Sequence, residues 1–167
     1  IVLEGVRLIS DALQQGQQPD YILYYPAQVD YDLIAQLQET RTTLLAVSED
    51  VIQHVSDTTN PQGIIAVFPL PIPKMPDDAR RVLILGAIRE PGNLGTILRT
   101  AGAAGIEVVI LGSGSVDPYN PKVLRAGMGA HFRLPIIEAD WSQIAGYTKD
   151  LNIYLAAGDG DQVYSDV

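Results

Sequence analysis

Apolar positions along this chain fall into short continuous runs that alternate with stretches at helical spacing. Residues 1–3 read as the end of a strand. Residues 6–15 place Val6, Ile9 and Leu13, with Leu8 and Ala12, on one helical face that ends at Gly16. Residues 21–25 predict a strand stopped by Pro26, residues 31–37 a helix and residues 44–47 a strand. Ser48 is then the expected cap of a helix carrying Val51, Ile52 and Val55. Residues 56–63 are rich in turn-forming types, and the apolar run 64–68 predicts a buried strand. Alternating strands and helices make this an α/β unit, one that is small for an independent core.

Pro69, Pro71, Pro73 and Pro76 then fall close together ahead of Asp77 and Asp78. Proline at that density is stiff and cannot join a central strand, so residues 70–80 are expected to link two domains, 1–69 and 81–167. Beyond the prolines the alternation restarts. Strands are expected at Val82–Leu85 and at 108–111, with a helix over 94–104 between them that stops before Gly105. A short helix at 121–126 follows, then a strand at 132–137, a helix at 141–150 capped by Asp140, and a last strand at 153–157. The pattern predicts a mostly parallel sheet in the second domain.

Charge changes this picture in one place. The chain carries a formal net charge of −9, which argues against its whole surface binding nucleic acid. Residues 80–135 nonetheless hold seven of the eleven Lys and Arg and sum to +4, leaving −13 for the rest. A basic island in an acidic chain points to a site for a polyanion. The absence of Cys removes disulfides and thiolate metal sites and is compatible with a cytoplasmic protein. His54 and His131 lack partners at metal-ligand spacing and read as surface or packing residues, so no metal is expected. No apolar run approaches the ~18 residues needed to span a bilayer, so no membrane partner is expected.

Within the island, Glu90-Pro91-Gly92-Asn93 stands where a strand hands over to a helix, the end at which open α/β sheets bind ligands. Asn93 is either a functional group there or only the helix cap, and Gly95 either serves the site or permits close packing. Arg99, farther along the same helix, is either solvated or part of the site. The Gly112-Ser113-Gly114-Ser115 run lacks the Gly-Lys-Ser/Thr of a phosphate loop and reads as a plain loop. From Lys122 to Pro135 cations surround Gly127 and Gly129, where the backbone can approach a ligand or simply turn.

At these residues the chain resembles the SpoU-type (TrmH-like) RNA ribose 2′-O-methyltransferases of the knotted SPOUT class. Glu90-Pro91-Gly92-Asn93-Leu94-Gly95 with Arg99-Thr100-Ala101 looks like the first family motif. Residues 125–135, Arg-Ala-Gly-Met-Gly-Ala-His-Phe-Arg-Leu-Pro, look like the second. Glu4-Gly5-Val6-Arg7 and the run from Asn60 to Val67 are similar to the family's ribosomal-protein-like substrate-binding domain. Glu90 stands where Asp is more usual, and Gly127 where Ser is common.

The resemblance implies a small N-terminal α/β RNA-binding domain ahead of an α/β-knot domain. It implies S-adenosylmethionine as methyl donor, rRNA or tRNA as substrate and a homodimer. Arg99 and Asn93 would be catalytic, and Arg7, Arg89, Lys122, Arg125 and Arg133 would contact RNA. Ala157 and Gly158 would touch the cofactor. The family's third motif, which forms most of the cofactor pocket and ties the knot, does not occur before Val167. A chain that starts at Ile1 and lacks that motif is expected to be part of a longer polypeptide and inactive by itself. The alternative reading is a homologue that binds RNA or ribosomes and has lost the chemistry.

Overall fold

The structure, a computed structural model, describes residues 1–39 and 42–157. Two sheets organise it. The first contains β1 (Val2–Glu4), β2 (Tyr21–Tyr24), β3 (Thr43–Ala46) and β4 (Ile64–Val67) in the order β1-β4-β2-β3. It is mixed: β4 runs antiparallel to both β1 and β2, and β2 runs parallel to β3. Helices α1 (Val6–Gln14), α2 (Tyr31–Gln38) and α3 (Glu49–Val55) connect these strands. Leu3, Ile9, Ile22, Leu37 and Ile64 are each at most 1% exposed and form the centre of its core.

The second sheet is parallel throughout, with β5 (Val82–Leu85), β6 (Val108–Gly112) and β7 (Ile136–Ala139) in that order. β6 is buried along its whole length and alternates between two layers. Val109 and Leu111 join Leu94 and Leu98 of α4 (Pro91–Ala103) and Val123 of α5 (Pro121–Gly127). Val108 and Ile110 face the other way, toward Ile144 of α6 (Trp141–Tyr147). Met75 and Ala79, from a stretch with neither helix nor strand, pack on that same side.

Several local expectations change. The helix expected over 94–104 begins three residues earlier, because Pro91 fits its first turn and Glu90 takes the capping position. Asn93 is therefore inside the helix and does not cap it. Ser48 occupies the position before α3, but its hydroxyl makes no capping bond. No strand covers 132–137 as a whole. Met128 (φ 45°) and Gly129 (φ 79°) turn the chain left-handed into a 3₁₀ turn, Ala130–Phe132, and the strand starts only after Pro135. Asp140 does cap its helix, in a reciprocal pair with Gln143, but that helix ends at Tyr147 and not at 150. Residues 153–157 form no strand: nothing among the described residues pairs with them, and a strand exists only through its ladder. Among the described residues no helix is long and apolar enough to cross a membrane.

The two sheets share packing. Leu124 of α5 is 3% exposed within the first sheet's core, and Tyr119 and Phe132 pack against it. The Phe68 and Phe132 rings meet with centroids 6.2 Å apart.

Candidate active site

The carboxyl ends of β5 and β6 lead into two loops that are fastened together. Ile88 donates its backbone N–H to the Ser115 hydroxyl at 3.3 Å and accepts from the Val116 N–H at 2.8 Å. Ser115 in turn donates to the Gly112 carbonyl at 2.9 Å. The Gly-Ser-Gly-Ser run is thus a clasp that fixes the loop entering α4. Ala87 in that loop has φ 52°, a left-handed backbone costing a residue with a Cβ about 1–2 kcal/mol. Such strain persists only where surroundings enforce it, and it gathers at functional sites.

At the start of α4 the Glu90 carboxylate accepts from the Asn93 N–H at 2.7 Å. The longer Glu side chain folds back to do so, and Gly92 leaves it the room: a Cβ there would stand 2.9 Å from the Glu90 Oε2. Leu94, Gly95, Leu98 and Ala101 are buried, which turns Asn93, Thr96, Arg99 and Thr100 to solvent. Asn93 and Arg99 lie on opposite flanks of this exposed face, about 120° apart around the helix and roughly 9 Å apart along its axis. The two threonines are occupied with the helix itself: Thr96 donates to the Gly92 carbonyl at 2.8 Å and Thr100 to the Thr96 carbonyl at 2.9 Å. Among the described residues no carboxylate pairs with Arg99.

Gly95 is where α4 crosses α5. A Cβ there would lie 2.5 Å from the Ala126 Cβ and 2.7 Å from the Val123 carbonyl oxygen, so Gly95 serves close packing. The crossing brings the second glycine-rich turn against the first motif. At its centre His131 is 6% exposed, with Nε2 donating to the Pro118 carbonyl at 2.8 Å and Nδ1 unpartnered. Burial pushes its pKa below the ordinary imidazole value, against a smaller opposing effect of the Pro118 bond. Its ring also fills the space beside Gly127, where a Cβ would stand 2.7 Å from the imidazole Cε1.

The remaining predicted residues are spread out. Arg89, in the clasped loop, and Lys122, at the start of α5, are exposed near α4. Arg125 is half-buried and lines a crevice with Glu4 of β1 and Asp57 of the turn after α3. Arg133 is exposed beyond the 3₁₀ turn, and Arg7 is exposed on α1. In that region Gln62 accepts from the Val6 N–H at 3.1 Å, joining the Asn60–Gly63 turn to Glu4-Gly5-Val6-Arg7. Ala157 is exposed and belongs to neither sheet, and Gly158 lies outside the described residues. Arg81 pairs with Glu107 at 3.1 Å and so is not a free cation. Sequence reasoning missed Trp141. Its indole is 62% exposed and lies over the strand ends at Gly86 and Gly112, 3.6–3.7 Å from where a Cβ on either would stand. Nothing in an isolated Trp signals that placement.

Comparison with known proteins decides the family. Residues 80–166 match the model of the SpoU rRNA Methylase family, and residues 1–66 match the MRM3-like substrate binding domain. The chain belongs to the SpoU rRNA methylase family. It is 41% identical over 167 residues to human rRNA methyltransferase 3, mitochondrial, covering 93% of this chain and 39% of that one. Against the Bacillus subtilis 23S rRNA (guanosine(2553)-2′-O)-methyltransferase RlmP it is 38% identical over 137 residues, covering 81% and 53%. An AdoMet-bound rRNA methyltransferase from Sinorhizobium meliloti superposes with TM-score 0.75 at 32% identity, covering 89% of this chain and 57% of that one. The SpoU methyltransferase AviRb from Streptomyces viridochromogenes reaches TM-score 0.79 at 24% identity, with 89% and 59% covered, and shows likeness of fold. The chain spans about two-fifths to three-fifths the length of these SpoU relatives.

Proposed function

We propose that this chain is the substrate-binding domain and motif-bearing portion of an S-adenosylmethionine-dependent rRNA ribose 2′-O-methyltransferase. The observation that carries the reading is the solvent-facing stripe of α4. It begins with Asn93 behind a clasped, strained loop at the carboxyl edge of a parallel sheet and carries Arg99 exposed farther along. The named relatives supply the substrate class and the methyl donor.

The residues present suit that donor. Gly86, just past β5, and Gly112, at the end of β6, carry no side chains, and the exposed Trp141 indole that covers them offers a flat apolar face to an adenosyl group. Ala157 and Gly158 are proposed as further contacts. When bound, S-adenosylmethionine supplies a methyl group on a sulfonium, which leaves as a neutral thioether.

The chain's own task is to handle the ribose hydroxyl, a weak nucleophile that must lose its proton around the transition state. Arginine stays protonated to pH ~12 and is a poor base. Arg99 therefore grips an RNA phosphate and steadies the charge growing on the 2′-oxygen, while a phosphate oxygen takes the proton. Asn93 shapes the rim beside it. Arg7, Arg89, Lys122, Arg125 and Arg133 are proposed to hold the RNA backbone, with the first sheet and its helices as the substrate-binding domain. A knotted, paired second domain and a cytoplasmic setting complete the reading.

In the full-length protein, replacing Arg99 by Ala is expected to lower methyl incorporation into rRNA by about 10²-fold or more, with thermal unfolding and donor binding unchanged. Turnover within a few-fold of the unaltered protein would discard the assignment.

A further inference from the structure

A groove on the second domain is lined by all three parts of the chain. Gln17 comes from the segment after α1, Ile72 and Lys74 from the proline-rich stretch, and Tyr119 and Arg133 from the loops flanking α5 and the 3₁₀ turn. None of the lining residues is acidic, in a chain that has 20 Asp and Glu. Lys74 and Arg133 are both exposed, and among the described residues neither has a carboxylate partner. The Asp11 carboxylate is the nearby exception. It lies 3.3 Å from the point where a Cβ on Gly129 would stand, and an Arg133 nitrogen lies 3.7 Å from the same point.

The floor and wall are apolar, with Ile72 88% exposed beside Pro71 and Pro73. The half-buried ring of Tyr119 meets the His131 ring at a tilt of 50°, with centroids 6.0 Å apart. Two free cations over an apolar and aromatic bed suit single-stranded nucleic acid, whose phosphates and base faces need those two surfaces. A duplex would need a broader band of charge.

The groove also stands apart from the strand ends that carry the clasped loop. Arg133 and Pro135 precede β7, so they lie at the amino edge of the parallel sheet, opposite the loop that follows β5.

We infer that this groove holds an unpaired stretch of the RNA substrate, away from the nucleotide that is modified, with Lys74 and Arg133 each engaging a phosphate. The inference rests on the RNA reading above and extends it to the proline-rich segment, which becomes part of the binding surface as well as a connector.

The test is the salt dependence of binding to an unstructured RNA oligonucleotide of about 16 nucleotides, followed by fluorescence anisotropy without any methyl donor. The Lys74→Gln/Arg133→Gln variant is expected to bind several-fold more weakly. Its slope of log K against log salt should fall by about 1.4, or ~0.7 for each lost single-strand phosphate contact. A second variant, Arg80→Gln/Lys149→Gln, removes the same charge outside the groove and should keep the original slope. An unchanged slope in the first variant overturns the groove, as does an equal loss in both. If the unaltered chain binds no RNA at all, the RNA reading itself fails. Equal melting temperatures among the three proteins exclude misfolding as the cause.

Discussion

The two sheets bury themselves by different means. The second, parallel sheet is closed mainly by its own helices: β6 sends Val109 and Leu111 to α4 and α5, and Val108 and Ile110 to α6, where Met75 and Ala79 of the adjoining proline-rich stretch complete the layer. The first, mixed sheet borrows. Its core contains Leu124, which the chain supplies from the far side of the proline-rich stretch, and its outer strand β3 is largely exposed. A helix that carries part of the second motif is thus also a core element of the other region. The self-sufficient sheet can hold its carboxyl-edge loops rigid, while the borrowing sheet ties its own integrity to the position of α5.

The sharpest way to break that contrast is Leu124→Ala. Truncating a buried Leu costs about 2–5 kcal/mol. If the first sheet depends on it, hydrogen exchange should speed up across β1, β4 and β2 before β5, β6 and β7 respond. Uniform loosening of both sheets would mean that they unfold as one unit, and no loosening would mean that the borrowed contact is idle. The same contact makes removal of residues 1–69 a poor test of their role, because it would bare Leu124.

A smaller effect is expected at Gly95, inside the self-sufficient half. Ala is a better helix former than Gly by about 1 kcal/mol. The Cβ would nevertheless press on Ala126 and the Val123 carbonyl, an overpacking cost of about 1–3 kcal/mol, so Gly95→Ala should destabilise by a net of up to about 2 kcal/mol in denaturant unfolding. A more stable variant would show that α4 and α5 can separate freely.

The smallest expected effect lies at the joint between the proline-rich stretch and β5. Glu107 accepts from the Arg80 and Arg81 N–H groups at 2.7 and 3.0 Å and from the Arg81 guanidinium. Those bonds, the Arg80 backbone first, hold its carboxyl at about 2, below the ordinary 4.5. A lowered carboxylate pKa stabilises the fold above the unfolded value, and that benefit fades as pH falls from about 4.5 toward 2. Glu107→Gln should therefore melt slightly lower than the unaltered protein at pH 7 and match it near pH 2. A gap that stays constant with pH would show that ionisation is irrelevant there.

Much of this architecture is legible in the chain. Val82–Leu85 is an uninterrupted apolar run and forms a strand with those bounds, and Asp140 followed by Gln143 announces a helix start. Failures occur where a local pattern competes with a constraint elsewhere. Asn93 is a good capping residue, but Pro91 two positions earlier moves the helix start to Glu90. The run 132–137 is rich in apolar residues, yet two left-handed positions ahead of it impose a tight turn and bury His131. At the candidate site, the motif residues are legible because they occupy consecutive positions. The Ile88–Ser115 clasp joins residues 27 apart, and Trp141 reaches the strand ends through the fold; neither leaves a local trace.

The imidazole beside Gly127 also constrains how this protein can change. A serine there would place its first side-chain carbon 2.7 Å from a ring atom of His131. The obstacle is space, whatever the hydroxyl could contribute. A change from glycine to serine at position 127 first requires residue 131 to shrink or swing aside. The two positions can be exchanged in one order and resist the other.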